Sequence, residues 1–333
     1  MAEPTQSLLS VRNLRVEFPS RKSVAVPVDD VSFEIAPGEV LGLVGESGAG
    51  KSMTGAAIIG LLEPPGRIAR GEVHLKGRRI DQLPIAEMRR IRGRHIGMVF
   101  QDPLTSLDPL YRIGEQLVET ITLHRGIGRA EARAAAIAML KEVGIPAAEQ
   151  RIDAYPHELS GGMRQRVVLA LALSGKPEMI IADEPTTALD VSIQAQIIAL
   201  LKRLCRERGT AVLLVTHDMG VIAETADRVA VMYAGRIAEI GPVRDVIHRP
   251  RHPYTQGLMA SIPSLTTRVR RLGQIEGAMP RLTERGIGCA FAPRCPHAFA
   301  RCRQETPPAF VLGATRAACW LAADDAAAAE ASR

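Results

Sequence analysis

Gly45-Glu46-Ser47-Gly48-Ala49-Gly50-Lys51-Ser52 fits the phosphate-loop pattern G-x-x-x-x-G-K-S/T. Its surroundings suit it, since an apolar run from Val40 to Val44 leads in and a helix-like run from Ser52 to Leu62 leads out. The glycines let backbone N–H groups turn inward and cradle phosphate oxygens at a helix N-terminus. Lys51 can reach the outer phosphates of a nucleotide, and the Ser52 hydroxyl can ligate Mg²⁺. A chance glycine-rich turn would not bring both the strand and the helix with it. Taken alone, the loop specifies a nucleoside triphosphate and nothing narrower.

A second segment, Leu159-Ser160-Gly161-Gly162-Met163-Arg164-Gln165-Arg166, reads as a capped helix start. Ser160 is a favoured N-cap, and an open helix start offers free N–H groups and a positive dipole end to an anion. Val167, Val168, Leu171 and Leu173 give the same helix a buried face. The segment resembles the signature motif of ATP-binding-cassette (ABC) ATPases, with Met163 where that family most often has Gln. The resemblance implies that Ser160, Gly161, Gly162 and Met163 meet the γ-phosphate of an ATP held by a partner subunit.

Further landmarks follow in the order that the ABC family uses. Met179-Ile180-Ile181-Ala182-Asp183-Glu184 is a short apolar strand ending in two carboxylates, the Walker B pattern. Asp183 is expected to act on Mg²⁺, mainly through its water shell. Glu184 is expected to activate the attacking water as general base. The resemblance assigns Gln101 to the Q-loop as a contact of Mg²⁺ and water, and His217 to the switch that touches the γ-phosphate. It assigns Ala188-Leu189-Asp190 to the D-loop, which crosses the dimer interface, with Asp190 its acidic member. Phe18 is the aromatic expected to stack on adenine, although an aromatic ending a strand also serves as core.

These residues must be held by an alternating architecture. Strands are expected at Val11–Phe18, Val31–Ile35, Val40–Val44, Glu72–Lys76, Ile96–Phe100, Met179–Asp183, Ala211–Thr216, Arg228–Met232 and Arg236–Ile240. Between Gln101 and Ser160 the strands stop, and Gly114–His124 and Arg129–Val143 read as helices, the second closed by Gly144 and Pro146. The fold implied is α/β, a P-loop NTPase core of the ABC type with an inserted helical subdomain and a small cysteine-containing extension. Domains are expected at 1–241 (ATPase, with the helical subdomain at about 102–160) and 242–321. An Ala/Asp/Glu-rich tail, 322–333, reads as disordered or loosely helical.

Composition agrees. The chain has 333 residues, 46% hydrophobic and 3% aromatic, which suits an aliphatic α/β core of about two domains. No apolar run approaches the roughly 18 residues of a membrane span. The N-terminus lacks the basic and apolar regions of a secretory signal, so a cytosolic chain is expected. The net charge is +6, with basic clusters at Arg89-Arg90-Ile91-Arg92 and Arg268-Val269-Arg270-Arg271. With only 6 Phe, 4 Tyr and 1 Trp, no stacking surface accompanies them, so nucleic acid is not an expected partner. A solvated face or attraction to an anionic leaflet explains them better.

The C-terminal region narrows the resemblance. Arg251-His252-Pro253-Tyr254-Thr255 followed by Gly257-Leu258, and Gly288-Cys289-x-Phe291-x-Pro293-Arg294-Cys295-Pro296, resemble the extension of oligopeptide/dipeptide ABC importers. Gly161 to Val167 and Ile181 to Val191 are similar to the D-type ATPase subunit of that branch. The resemblance implies ATP-driven uptake of di- or oligopeptides, with ATP and Mg²⁺ as cofactors, at the cytoplasmic face of the cytoplasmic membrane. It implies a second, F-type ATPase subunit, two transmembrane permease subunits and an extracytoplasmic peptide-binding protein. Nickel or another small solute is an alternative cargo. A non-transport ABC ATPase is the alternative from another class.

Four of the five cysteines, Cys289, Cys295, Cys302 and Cys319, fall within 31 residues with spacing C-x5-C-x6-C-x16-C. A cytosolic location argues against disulfides, and so polar a segment calls for another staple. The tight pairs usual for structural zinc are absent. Four thiolates on looser spacing suit a 4Fe–4S cluster, and the extension resembles one that holds such a cluster; zinc and unligated thiols are the alternatives. Cys205, in a helical stretch, reads as a core or surface residue.

Overall fold

Continuous runs of buried aliphatic residues build the strands that carry the site. A computed structural model describes residues 7–187, 189–262, 273–280, 283 and 286–323. Ala188, the Arg268–Arg271 cluster and residues 324–333 of the expected tail lie outside these residues. The strands are β1 (Leu9–Pro19), β2 (Val24–Ile35), β3 (Val40–Val44), β4 (Arg67–Leu75), β5 (Arg78–Arg79) and β6 (Ile96–Val99). They continue with β7 (Met179–Asp183), β8 (Ala211–Thr216), β9 (Arg228–Tyr233), β10 (Arg236–Pro242), β11 (Phe310–Leu312) and β12 (Thr315–Ala317). Every residue of β3, β7 and β8 is buried, the signature of parallel strands covered on both faces.

The chain divides into two compact units. One comprises residues 35–39 and 82–214. Its strands run in the order β6-β7-β8, and β6 pairs β7 in parallel from Ile96↔Met179 to Val99↔Ala182. Between Gln101 and Ser160 the described residues form helices and turns only. Helix Ile113–Arg125 buries Ile113, Leu117, Val118 and Ile121, and packs against helix Arg129–Glu142, which buries Ala132, Ala136, Met139 and Leu140. This pair is pinned to helix Gly161–Leu173 by polar contacts. Arg125 Nε donates to Ser174 O at 2.6 Å, and Arg166 Nη1 donates to Val143 O at 2.7 Å.

The other unit comprises residues 6–34, 40–81 and 215 onward. It contains an antiparallel sheet in the order β2-β1-β4-β5 and a run in the order β3-β9-β10-β12-β11. β3 and β9 are parallel, from Leu41↔Arg228 to Val44↔Val231. β9 and β10 form a hairpin with Tyr233 opposite Arg236. The two turn residues, Ala234 and Gly235, have φ +46° and +79°, the left-handed pair that a type I′ turn needs. The chain beyond β10 then returns to extend that sheet, with Glu239↔Ala317 and Ile240↔Arg316 joining β12 to β10.

β11 and β12 escape the sequence reading because three residues carry no measurable period. β2 begins seven residues earlier than expected, because Pro27, Asp29 and Asp30 imitate a loop. Long-range contacts keep that stretch extended. Asp29, 6% exposed, accepts from Arg15 Nη1 at 2.7 Å and from Arg236 Nη2 at 2.6 Å, and the Asn13 amide donates to Asp30 at 2.9 Å.

Candidate nucleotide site

The phosphate loop leaves β3 and enters helix Lys51–Ile58. Gly45 and Gly50 have φ +157° and +102°. A Cβ would stand 2.2 Å from Met232 O at Gly45 and 2.3 Å from Pro27 O at Gly50. Both positions therefore demand glycine on space alone, and Gly50 on conformation as well. Lys51 is buried, and its ammonium donates to Gly45 O at 2.9 Å and Glu46 O at 3.0 Å. The charge is thus held over the loop's own backbone, where an incoming phosphate would meet it. Ser52 occupies the helix's first turn.

The loop is also gripped from the C-terminal region. The Glu46 N–H donates to the Tyr254 hydroxyl at 2.9 Å. Arg294 Nη1 donates to both Glu46 carboxylate oxygens at 3.0 Å and to the Tyr233 hydroxyl at 3.3 Å. Tyr254 is fully buried, and burial pushes its phenol well above the ordinary tyrosine value. In the sequence, Tyr254 and Arg294 stand out only as parts of motifs that carry the family resemblance. The signal lay in their motifs; the contact did not.

In the same unit, Phe18 stands half-buried near the end of β1. Its Cε1 and Cζ lie 2.6 Å from the place a Cβ on Gly66 would take, so Gly66 leaves the ring room. His217 follows β8 and is exposed. The next residue, Asp218, caps helix Met219–Thr225 by accepting from the Gly220 and Val221 N–H groups, which fixes the backbone beside His217.

The remaining candidates lie in the first unit. β7 ends at Asp183, 7% exposed, with Glu184 directly after it. Glu184 has φ +44°, a left-handed conformation costly for a residue with a Cβ. Its carboxylate accepts from Gln101 Nε2 at 3.2 Å and Thr187 Oγ1 at 2.9 Å. The structure thus brings together the Q-loop glutamine and the expected base, and adds Thr187, which sequence reasoning left unassigned.

Ser160 caps helix Gly161–Leu173, its hydroxyl accepting from the Met163 N–H at 3.3 Å. Ser160 and Gly161 are exposed at that helix start, while Gly162 and Met163 are half-exposed. Asp190 caps helix Val191–Arg208 in the same manner, accepting from the Ile193 N–H at 2.9 Å. The residues expected to meet Mg²⁺, Ser52 and Gln101 with Asp183 behind a water, offer hydroxyl, amide and carboxylate oxygens. Such hard donors fit that ion.

The cysteine expectation is overturned. Cys289, Cys295, Cys302 and Cys319 line one narrow cavity of about 20 Å³. Among the described residues, no group of three or more His, Cys, Asp or Glu side chains stands so as to hold a metal ion. Neither a 4Fe–4S cluster nor zinc in its place is supported. The cavity is about the size of one water, and Phe291, Pro307 and Trp320 share its lining. Burial raises the Cys289 and Cys295 thiols and pushes Cys319 up to about 11, favouring neutral sulfur over thiolate. The extension has other staples. Phe291 meets Tyr233 edge-on at 5.2 Å and Tyr254 at 5.4 Å, and Arg301 lies 3.6 Å over the Trp320 ring.

Comparison with known proteins places this geometry. A family model described as ABC transporter matches residues 28–187, and one described as oligopeptide/dipeptide transporter, C-terminal region, matches residues 238–302. The oligopeptide transport ATP-binding protein OppD of Salmonella typhimurium is 48% identical over 316 residues, covering 95% of this chain and 94% of that protein. The dipeptide transport ATP-binding protein DppD of Escherichia coli is 44% identical over 321 residues, covering 96% and 98%. A solved dimeric ATP-binding cassette, in a post-hydrolysis state with ADP and phosphate, matches with a TM-score of 0.64. That match is 31% identical and covers 71% of this chain and 99% of the cassette. No helix among the described residues is long and apolar enough to cross a membrane. By its motifs, its fold and these relatives, the chain belongs to the ABC transporter family, as an ATP-hydrolysing subunit of the oligopeptide/dipeptide importers.

Proposed function

We propose that Gly45–Ser52 binds the ATP phosphates, that Glu184 is the general base, and that Gln101 and His217 report the γ-phosphate to their elements. Phe18 stacks on the adenine. Ser52 and Gln101, with Asp183 through water, are the residues for Mg²⁺, which when bound neutralises charge on the phosphates. Ser160 to Met163 serve the ATP of a partner ATPase subunit, and Asp190 lies at that interface. The chain works at the cytoplasmic face of the membrane with an F-type ATPase subunit, two permeases and a peptide-binding protein. Its ATPase domain runs to residue 241, with a helical subdomain at about 102–160 and a C-terminal domain at 242–321.

One observation carries this reading. The Glu184 carboxylate follows the Walker B aspartate and is held by Gln101 at 3.2 Å and Thr187 at 2.9 Å. A base must be aimed before it can act. Glu184→Gln keeps the side chain's size and its contacts but removes its basicity. In the reconstituted importer we expect ATP binding to persist while turnover falls by at least about 100-fold, the usual scale of general-base catalysis. Turnover within about threefold of the unsubstituted protein would take the role of base from Glu184.

A further inference from the structure

Glu46 is an odd choice for a loop that must receive a polyanion. Its carboxylate stands two residues from Gly48 and five from Lys51, where a bare negative charge would repel phosphate. The structure answers with two residues from the C-terminal region, both aimed at Glu46. Arg294 takes the side chain and Tyr254 takes the backbone N–H.

Both partners are themselves fixed. The Arg294 side chain is 6% exposed. Beyond Glu46 its guanidinium donates to Glu276 O at 2.9 Å, Ile275 O at 3.1 Å and the Tyr233 hydroxyl at 3.3 Å. A planar fork with its donors committed in this way has one orientation. Tyr254 is fixed from the other side. Its N–H donates to His252 Nδ1 at 3.0 Å, and the His252 N–H donates to the fully buried Glu239 at 3.0 Å. Met279 completes the contact, since a Cβ on Gly48 would stand 3.1 Å from its methyl group.

We propose that Arg294 is a positioning residue for ATP, acting through Glu46, with Tyr254 as the second hold on the same loop residue. The C-terminal region thereby sets how tightly the phosphate loop binds nucleotide. This rests on reading Gly45–Ser52 as the ATP site. The alternative, that the pair merely staples the region to the core, predicts lost stability with unchanged affinity.

The test is binding of a fluorescent ATP analogue to the full chain, with the ATP dependence of hydrolysis measured in the reconstituted importer. Arg294→Ala should weaken binding and raise KM about tenfold, the scale of one lost charge-assisted contact, while kcat changes by less than about threefold. Arg294→Lys keeps the charge without the fork and should recover part of the loss, and it serves where the alanine variant folds poorly. Glu46→Ala, which frees the loop but leaves no bare carboxylate, should weaken binding less than Arg294→Ala does, and the double variant should bind no worse than Arg294→Ala alone, because the two act as one unit. Arg301→Ala, which removes the contact over Trp320, should bind as the unsubstituted protein does. Unchanged affinity in Arg294→Ala with a lower melting temperature, or additive losses in the double variant, would overturn the proposal. Lys51→Ala separates the two levels. If it abolishes binding while Arg294→Ala does not weaken it, only the positioning role falls; if it binds normally, the site itself falls and the inference with it.

Discussion

His252 shows what burial does to a single side chain. It is 3% exposed, and desolvation pushes its pKa down to about 4. Its Nδ1 accepts from the Tyr254 N–H, a role only the neutral ring can fill. An exposed imidazole titrates near 6.5, so between those values the unfolded chain binds more protons than the folded one. Stability is therefore lost as pH falls from about 6.5 towards about 4. Asparagine at this position keeps an acceptor for the Tyr254 N–H, since it is a favoured N-cap, and does not titrate. Glu239, which burial shifts upward, works in the opposite direction but does so equally in both proteins. Between pH 7 and pH 5, the stability of the unsubstituted protein relative to His252→Asn should drop by about 2 kcal/mol. Denaturant unfolding at the two pH values measures it, and parallel losses in both proteins would show that His252 is not the group responsible.

At the scale of elements, the segments expected to carry the phosphate loop, the Asp183–Glu184 pair and His217 are legible in the sequence because each follows a wholly buried strand. Val40–Val44, Met179–Asp183 and Ala211–Thr216 are apolar runs, the last two closed by Asp183 and Thr216, and the structure draws all three with those bounds. What sequence spacing cannot supply is contact across long separations. The partners of Glu46 lie 208 and 248 residues away. The cysteines failed for a different reason, since four thiols in a short span do not fix where their sulfurs point. Helix Gly161–Leu173 offers a test at this scale. Ser160 is its N-cap, accepting from the Met163 N–H, and as a cap alone Ser160→Ala should cost about 1 kcal/mol. As part of the proposed site for a partner's ATP it should cost far more in activity, with turnover in the reconstituted importer falling by about tenfold or more, because an exposed helix start favours an anion. Melting temperature and ATP turnover, measured side by side, separate the two. Loss of stability without loss of turnover would leave Ser160 a cap and nothing else.

For the whole molecule, the proposed function has one decisive requirement, that a single chain does not complete an ATP site. On that proposal the phosphate loop works with a signature helix opposite its nucleotide, and the resemblance assigns that helix to a partner ATPase subunit. Two consequences follow from mass action. The chain purified alone should hydrolyse ATP slowly, and its specific activity should climb with protein concentration, since only pairs of chains turn over. Adding the second ATPase subunit and the permeases should raise the rate at a fixed, low concentration. Peptide-loaded binding protein should raise it again by favouring the closed state, because a ligand shifts such an equilibrium only by its differential affinity for the two states. The measurement is steady-state ATP hydrolysis across a range of chain concentrations, with partners added stepwise in proteoliposomes. Full-rate hydrolysis that is independent of both concentration and peptide would mean that a single chain holds every group the reaction needs, and the shared-site account would fail with it.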